Sequence, residues 1–577
     1  MDSLYEELNQ ISNDEFDTIL KKSPIQDFLD VSFENHLACF KEKKNDNVFI
    51  VETKDKETKE VFVKYITLID FLKFLIGKYR NENLDIMPCE PTSQTNSKYE
   101  KYINDTNNYA YVDSFFYHAT SEFAKKTKFP HSIECYDQFV CKKKNCKINI
   151  ADDLEYLCDS NYFNENINKL YHFEDQTISN LFMSTQKEKL VIEKENDVIL
   201  EDIELLGVEE IEDKDGKKEE VRDASQIVQV DGGECEDNDD EDDEEDDEDE
   251  SSDDSDVMHT SDSDEEDEED EEEEDEEDEE EEGEEGEEGE EGEEEDSDEE
   301  YSEEEDEEDS DEEDEEDDDD VFLYIHKIPT QVLVLEKCDN TLDYLLENDL
   351  LQNEELESAM FQVVTILYTY QKVFQFTHND LHTNNIMYVN TEETHLTYRI
   401  MGKVYKVPTF GKIYKIIDFG RSIYTYKGKL LCSDSFSSNG TAHTQYNFGP
   451  YYNPKKPVIE PNYSFDLCRL ACSIFDFVCD DINHIKTYRK DTPIHDLIFS
   501  WLYDDNGRNM LYRSNGDDKY PGFKLYKMIS KIVHGHLPEK QYGHPCFKKF
   551  LVDKSDEAND ETIVDIDWMQ LKTTAHS

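Results

Sequence analysis

The chain has 577 residues, with 148 Asp plus Glu against 57 Lys plus Arg and a formal charge of −91, which excludes a nucleic-acid-binding protein of the basic kind. Of the acidic residues, 67 fall within the 85 positions of 236–320, which contain no Lys or Arg. The remainder is rich in Tyr, Phe, Leu and Ile and long enough to bury a large core.

No apolar run of about 18 residues occurs, and the first residues lack the basic and apolar regions of a signal peptide. Neither a membrane span nor secretion is expected. The 13 cysteines are scattered and odd in number, which fits reduced thiols in a cytosol-like compartment.

Residues 1–45 carry no recognisable chemistry. The runs 47–52 (Asn-Val-Phe-Ile-Val-Glu) and 60–66 (Glu-Val-Phe-Val-Lys-Tyr-Ile) read as strands around a polar turn at 54–58. Leu68, Phe71, Leu72, Leu75, Ile76 and Tyr79 share one face of a helix expected over 67–80. A loop is expected over 90–108, a helix over 111–126, and an apolar stretch from Phe129 to Val140. Cys141 and Cys146 flank a Lys-rich turn, but no second pair follows at zinc spacing.

Residues 152–173 read as helical and 189–206 as a charged strand. The acidic run 236–320 contains a Gly-Glu-Glu repeat over 283–294 and no means of burying apolar surface, so it is expected to be extended and disordered. It is a solvated spacer or a surface for basic proteins. Ser251, Ser252, Ser255, Ser261 and Ser263 lie among its acids and suit acid-directed kinases.

An apolar strand is expected over 331–338 and a buried helix over 354–374. The stretch on which the chain is organised follows at 377–388, Thr-His-Asn-Asp-Leu-His-Thr-Asn-Asn-Ile-Met-Tyr. It places a carboxylate, Asp380, five residues before a carboxamide, Asn385. A second carboxylate, Asp418, stands in 415–422, Lys-Ile-Ile-Asp-Phe-Gly-Arg-Ser. Phosphoryl transfer needs one acceptor to position a hydroxyl and oxygen ligands for magnesium ions bridging the phosphates. Asp380, Asn385 and Asp418 supply that set.

Between the two motifs, 395–415 reads as an inserted β-hairpin. A Ser/Thr/Tyr/Gly-rich segment spans 421–461, a helix opens near Asp466, and the last thirty or so residues are polar. His534, His536, His544 and Cys546 form a loose cluster that could hold zinc.

The two motifs, in this order, resemble the catalytic loop and Asp-Phe-Gly element of the protein-kinase-like fold, most closely serine/threonine protein kinases of giant, mimivirus-like DNA viruses. The resemblance implies an α+β, two-lobed protein-kinase-like fold with a long disordered acidic insertion in the small lobe. Its divisions are an N-terminal segment to 45, a small lobe over 46–235, the insertion over 236–320, the end of the small lobe and hinge over 321–338, a large lobe over 339–545 and a tail over 546–577.

The resemblance further implies an ATP- and magnesium-dependent phosphotransferase. Asp380 would accept the acceptor's proton, and Asn385 and Asp418 would bind Mg2+. Lys64 would reach the phosphates and Glu122, with Asp113 in reserve, would orient it. Glu336, Lys337 and Cys338 would meet adenine, and Asp466 would anchor the catalytic loop. It implies action in the host cytoplasm, viral factory or virion, on a protein acceptor that the sequence does not identify, without direct nucleic-acid binding.

Three departures stand against the pattern. No glycine occurs in 41–47, where a phosphate-wrapping loop belongs; Asn379 replaces an arginine that pairs with a phosphorylated activation segment; and His382 replaces a lysine. The Asp-Leu-His order is shared with haspin-like kinases and small-molecule kinases of the aminoglycoside type. The same residues therefore admit a small-molecule kinase, or a pseudokinase scaffold that presents the acidic run to basic partners.

Overall fold

Strand-forming runs rich in Val, Ile and Phe between residues 16 and 336 build one antiparallel sheet. In the computed structural model its strands are β1 (Phe16–Leu20), β2 (Leu37–Lys43), β3 (Val48–Thr53), β4 (Thr58–Thr67), β5 (Cys135–Asn149), β6 (Tyr171–Phe173) and β7 (Phe322–Glu336), in the order β1-β5-β7-β4-β3-β2 with β6 also on β7. The structure describes residues 15–33, 35–89, 97–151, 153–175, 320–479, 482–513, 516, 518–552 and 563–570. All lie in one compact unit formed by 1–190 and 314–577. The strand expected over 189–206 and the acidic run 236–319 lie outside the described residues.

The period of two along β4 assigns its side chains to two faces. Val61 and Val63 join Phe40, Phe49, Val332 and Val334 in one core. Ile66, Leu333 and Leu335 join a larger core on the opposite face. Lys64, paired in register with Leu333, therefore leaves the sheet on the side of helix α1 (Tyr109–Thr127). Asn108 caps α1 by accepting the Ala110 N–H at 3.0 Å and donates to Leu68 O at 2.8 Å, which fixes the helix under β4.

Among the helices that follow are α2 (Asn353–Phe374), α3 (Phe465–Val478), α4 (Pro493–Ser500) and α5 (Lys524–Ile532). α2 is buried along most of its length. Short strands β8 (Asn340–Thr341), β9 (Ile386–Asn390) and β12 (Lys412–Ile416) form one small sheet. Of the hairpin expected over 395–415, β10 (His395–Ile400) pairs with β11 (Lys403–Pro408), while 412–415 belong instead to β12 on β9. The segment after Asp-Phe-Gly opens with a hairpin of β13 (Ile423–Tyr426) and β14 (Lys429–Cys432).

Several expectations require correction. The helix expected over 67–80 is confined to Phe71–Leu75, ending before Gly77 at φ +81°. Within the expected loop 90–108, a helix runs over Lys98–Ile103, capped by the Ser97 hydroxyl accepting the Glu100 N–H at 3.2 Å. Residues 152–173 are not one helix: they form two short ones, Leu154–Cys158 and Asn161–Asn166, and then β6. Residues 563–570, expected in a polar tail, contribute β15 (Ile563–Asp565) parallel to β10, with Arg399 paired to Asp565 at 2.7 Å and Asp567 accepting the Met401 and Gly402 N–H groups.

Cys141 and Cys146 sit in different cores, five positions apart on one strand and so on opposite faces. The His cluster is dispersed: His534 meets Asp505, His536 meets Tyr503 O, and His544 meets Asp496. Among the described residues no helix is long and apolar enough to cross a membrane.

Candidate active site

The stretch 377–388 is held from below by one carboxylate. Asp466, fully buried in the first turn of α3, accepts the His378 N–H and the Asn379 N–H, each at 2.9 Å. Burial raises its pKa, and the nearby His378 and the two donors oppose that rise. Asn379 adopts φ +65°, a left-handed conformation that Asn tolerates better than most residues. Its amide donates to Arg421 O at 2.9 Å and its oxygen accepts the Tyr446 hydroxyl at 2.8 Å. Neutral hydrogen bonds thus join 377–388 to the segment after Asp-Phe-Gly.

On this platform Asp380 is half-buried. Its Oδ1 accepts the Tyr526 hydroxyl at 2.7 Å, and its Oδ2 lies 3.4 Å from Arg421 Nη1. Asn385 donates through Nδ2 to Asp380 O at 2.9 Å, with His382 Nε2 3.0 Å away. The amide nitrogen is thereby engaged, and its oxygen is the group left for a ligand. Burial lowers the His382 pKa, so its ring is neutral at pH 7.

The second half of the site comes from the sheet and α1. Lys64 Nζ lies 3.1 and 3.0 Å from the two oxygens of Asp113 and 2.8 Å from Asp418 Oδ1. Burial alone would lower the pKa of the ammonium, but Asp113 and Asp418 hold it well above the usual lysine value. Lys64 in turn pulls Asp418 down to about 2 against the effect of burial. Burial pushes Asp113 up to about 6, opposed by Lys64.

Asp418 has φ +62° and donates its N–H to the Tyr117 hydroxyl at 2.9 Å. This turn sends the next side chain, Phe419, into the core against Phe116 and Tyr117, with ring centroids 4.6 and 4.7 Å apart. The Phe419 N–H donates to Asp113 at 2.6 Å.

Glu122 is not the partner of Lys64. It lies nine residues beyond Asp113 on α1, about two and a half turns and hence on the opposite side of the helix. There it pairs with Lys125 at 3.1 Å and Lys126 at 3.7 Å. The carboxylate that meets Lys64 is the reserve residue, Asp113.

Glu336 ends β7. Its side chain accepts the Glu134 N–H at 3.1 Å and pairs with Lys415 at 2.7 Å, while its own N–H donates to Glu134 O. Lys337 and Cys338 connect β7 to β8, and among the described residues no hydrogen bond engages their backbone N–H or C=O groups.

The turn between β2 and β3 is closed without glycine. Asn45 Oδ1 accepts the N–H groups of Asn47 and Val48 at 3.0 and 2.7 Å, and Val48 O accepts those of Lys44 and Asn45. These amides are therefore engaged within the turn.

Sequence reasoning did not single out Tyr526, Arg421 or Arg469. Arg469 Nε donates to the Tyr526 hydroxyl at 3.0 Å, so a chain of contacts runs from α3 through α5 to Asp380. Tyr526 is 146 residues from Asp380 in sequence, and no local pattern marks it.

Among the described residues no cluster of three or more His, Cys, Asp or Glu side chains is arranged to hold a metal ion. Asp418 and Asn385 carry hard oxygen donors of the type magnesium takes and are the residues that would hold it. Comparison with models of known protein families gives no match, and comparison with curated proteins gives none either.

Proposed function

We propose that the chain is an ATP- and magnesium-dependent phosphotransferase of two-lobed, protein-kinase-like fold that acts on serine or threonine hydroxyls of a protein acceptor. The observation that carries this reading is Lys64 joined both to Asp113, 49 residues on, and to Asp418, 354 residues on, with the Ile417 N–H beside Asp418 donating to Asn385 O at 3.0 Å. A partly buried cation set between two carboxylates, one of them half-exposed, can exchange that outer partner for a phosphate oxygen.

In this reading Lys64 steadies the nucleotide phosphates while Asp113 fixes the lysine. The free backbone groups of Lys337 and Cys338 receive adenine. Asp380 orients the acceptor hydroxyl and takes its proton as the oxygen attacks the γ-phosphorus and the bond to the β-phosphate oxygen breaks. Asn385 and Asp418 would hold magnesium, which when bound neutralises charge on the phosphate oxygens.

The engaged amides of the turn at 44–47 favour a second reading, a scaffold with a kinase-like fold and no transfer activity. Incubation with magnesium and γ-labelled ATP separates the two. Label transfer that disappears in Asp418→Asn supports the enzyme, and absence of both transfer and ATP hydrolysis supports the scaffold.

A further inference from the structure

We propose that Tyr526 gates the acceptor pocket and that the pocket admits a hydroxyl flanked by an anionic group, with Arg421 and Arg469 as its receivers. The inference rests on the phosphotransferase reading and names the acceptor class of that same site.

A general base must lie about 2.6–3.2 Å from the hydroxyl it serves. At Asp380 Oδ1 that place is taken by the Tyr526 hydroxyl at 2.7 Å. The phenol is held there from several sides. It accepts Arg469 Nε–H at 3.0 Å, and its ring stacks on Phe523 with centroids 5.4 Å apart. The guanidinium groups of Arg469 and Arg421 lie 5.1 and 5.7 Å from the ring centroid. Burial raises the phenol pKa, so it stays protonated and donates to Asp380.

An acceptor hydroxyl that approaches Oδ1 from the side of α5 displaces this phenol. Displacement removes the oxygen that Arg469 Nε uses, and an unpaired donor on a partly buried guanidinium is costly. Two guanidinium groups then face a single carboxylate, leaving an excess of one positive charge. An acceptor bringing a carboxylate or phosphate beside its hydroxyl replaces the lost partner with a charge-assisted bond. A neutral acceptor leaves the arginines unsatisfied, and a basic one is repelled.

The test uses the full chain, magnesium-ATP and four peptides that differ only beside one serine: Ala, Lys, Asp or phosphoserine. The wild type should favour an anionic flank over Ala by about two- to fivefold in kcat/KM, the scale of one partly screened ion pair. The stronger of the Asp and phosphoserine peptides identifies the source of the anion.

Tyr526→Phe should raise transfer to the Ala and anionic peptides alike, since the cost of displacing the phenol is common to them, while leaving the KM for ATP unchanged. Arg469→Gln should bring the anionic peptides down toward the Ala level. Equal use of Ala and anionic peptides by the wild type overturns the inference alone, as does an equal loss on all peptides in Tyr526→Phe. Absence of transfer to every peptide, together with absence of ATP hydrolysis, overturns the phosphotransferase reading and this inference with it.

Discussion

Asp113 accepts the Phe419 N–H at 2.6 Å with the same carboxylate that holds Lys64 at 3.0 Å. One buried side chain therefore fixes both a sheet lysine and the backbone beside Asp418, and α1, β4 and the Asp-Phe-Gly turn are positioned together.

Asp113→Ala should cost about 2–4 kcal/mol, because it leaves the buried Phe419 N–H without its acceptor and takes from the partly buried Lys64 ammonium one of its two carboxylates. Asp113→Asn keeps an oxygen for Phe419 and should cost less. Glu122→Gln, which alters only a partly exposed pair with neighbouring lysines, should stay within about 1 kcal/mol. Urea unfolding of the three variants measures this order. Equal costs for Asp113→Ala and Glu122→Gln would contradict the assignment.

The contrast between these two acids also shows what the sequence made legible. Asp113 interrupts an apolar run between Tyr111-Val112 and Phe115-Phe116, and a carboxylate inside such a run needs a buried partner. Glu122 stands three and four residues before Lys125 and Lys126, the spacing of a surface helix pair. That difference was available from spacing alone and marks Asp113 as the better choice. Asp380, Asn385 and Asp418 were legible because their motifs are short and local.

Tyr526 and Arg469 were not legible, because their contacts depend on how α3 and α5 cross. β5 was read only to Val140 because Lys142, Lys143 and Lys144 follow. The strand continues to Asn149 with Lys142 and Lys143 paired to Asp85 and Glu15 at 2.8 and 2.5 Å. The helix at Lys98–Ile103 was foreshadowed by Ser97 and Glu100 at capping spacing, a signal masked by the polarity around it.

His131 should make stability depend on pH. It is fully buried between Tyr414 O and the Tyr398 hydroxyl, both at 2.8 Å, and burial pushes its pKa down to about 3. Below pH about 6.5 the unfolded chain binds a proton at this position that the fold does not. The contribution of a neutral His131 is complete above that pH and is lost as pH falls toward 3, at up to about 1.4 kcal/mol per pH unit. In urea unfolding between about pH 6 and 4, His131→Gln should show a slope shallower than the wild type by close to one proton. Identical slopes would contradict it.

The residues that flank 176–319 meet in the sheet, since Phe173 pairs with Leu323 and the Glu174 N–H donates to Phe322 O at 2.9 Å. A short Gly-rich linker in place of 176–319 should therefore close β6 and β7 as a hairpin, and the shorter loop carries less closure entropy. The shortened chain should unfold cooperatively with a melting temperature no lower than that of the full chain. Loss of cooperative unfolding would contradict the prediction.

Thermal unfolding with ATP, with and without magnesium, tests the central claim most directly. ATP with magnesium at about 100 times its Kd should stabilise the protein by about 2.7 kcal/mol, read as a rise in Tm. Lys64→Met and Asp418→Asn should each remove most of that rise. An unchanged Tm at millimolar ATP with magnesium, in protein shown to be folded, would contradict the account.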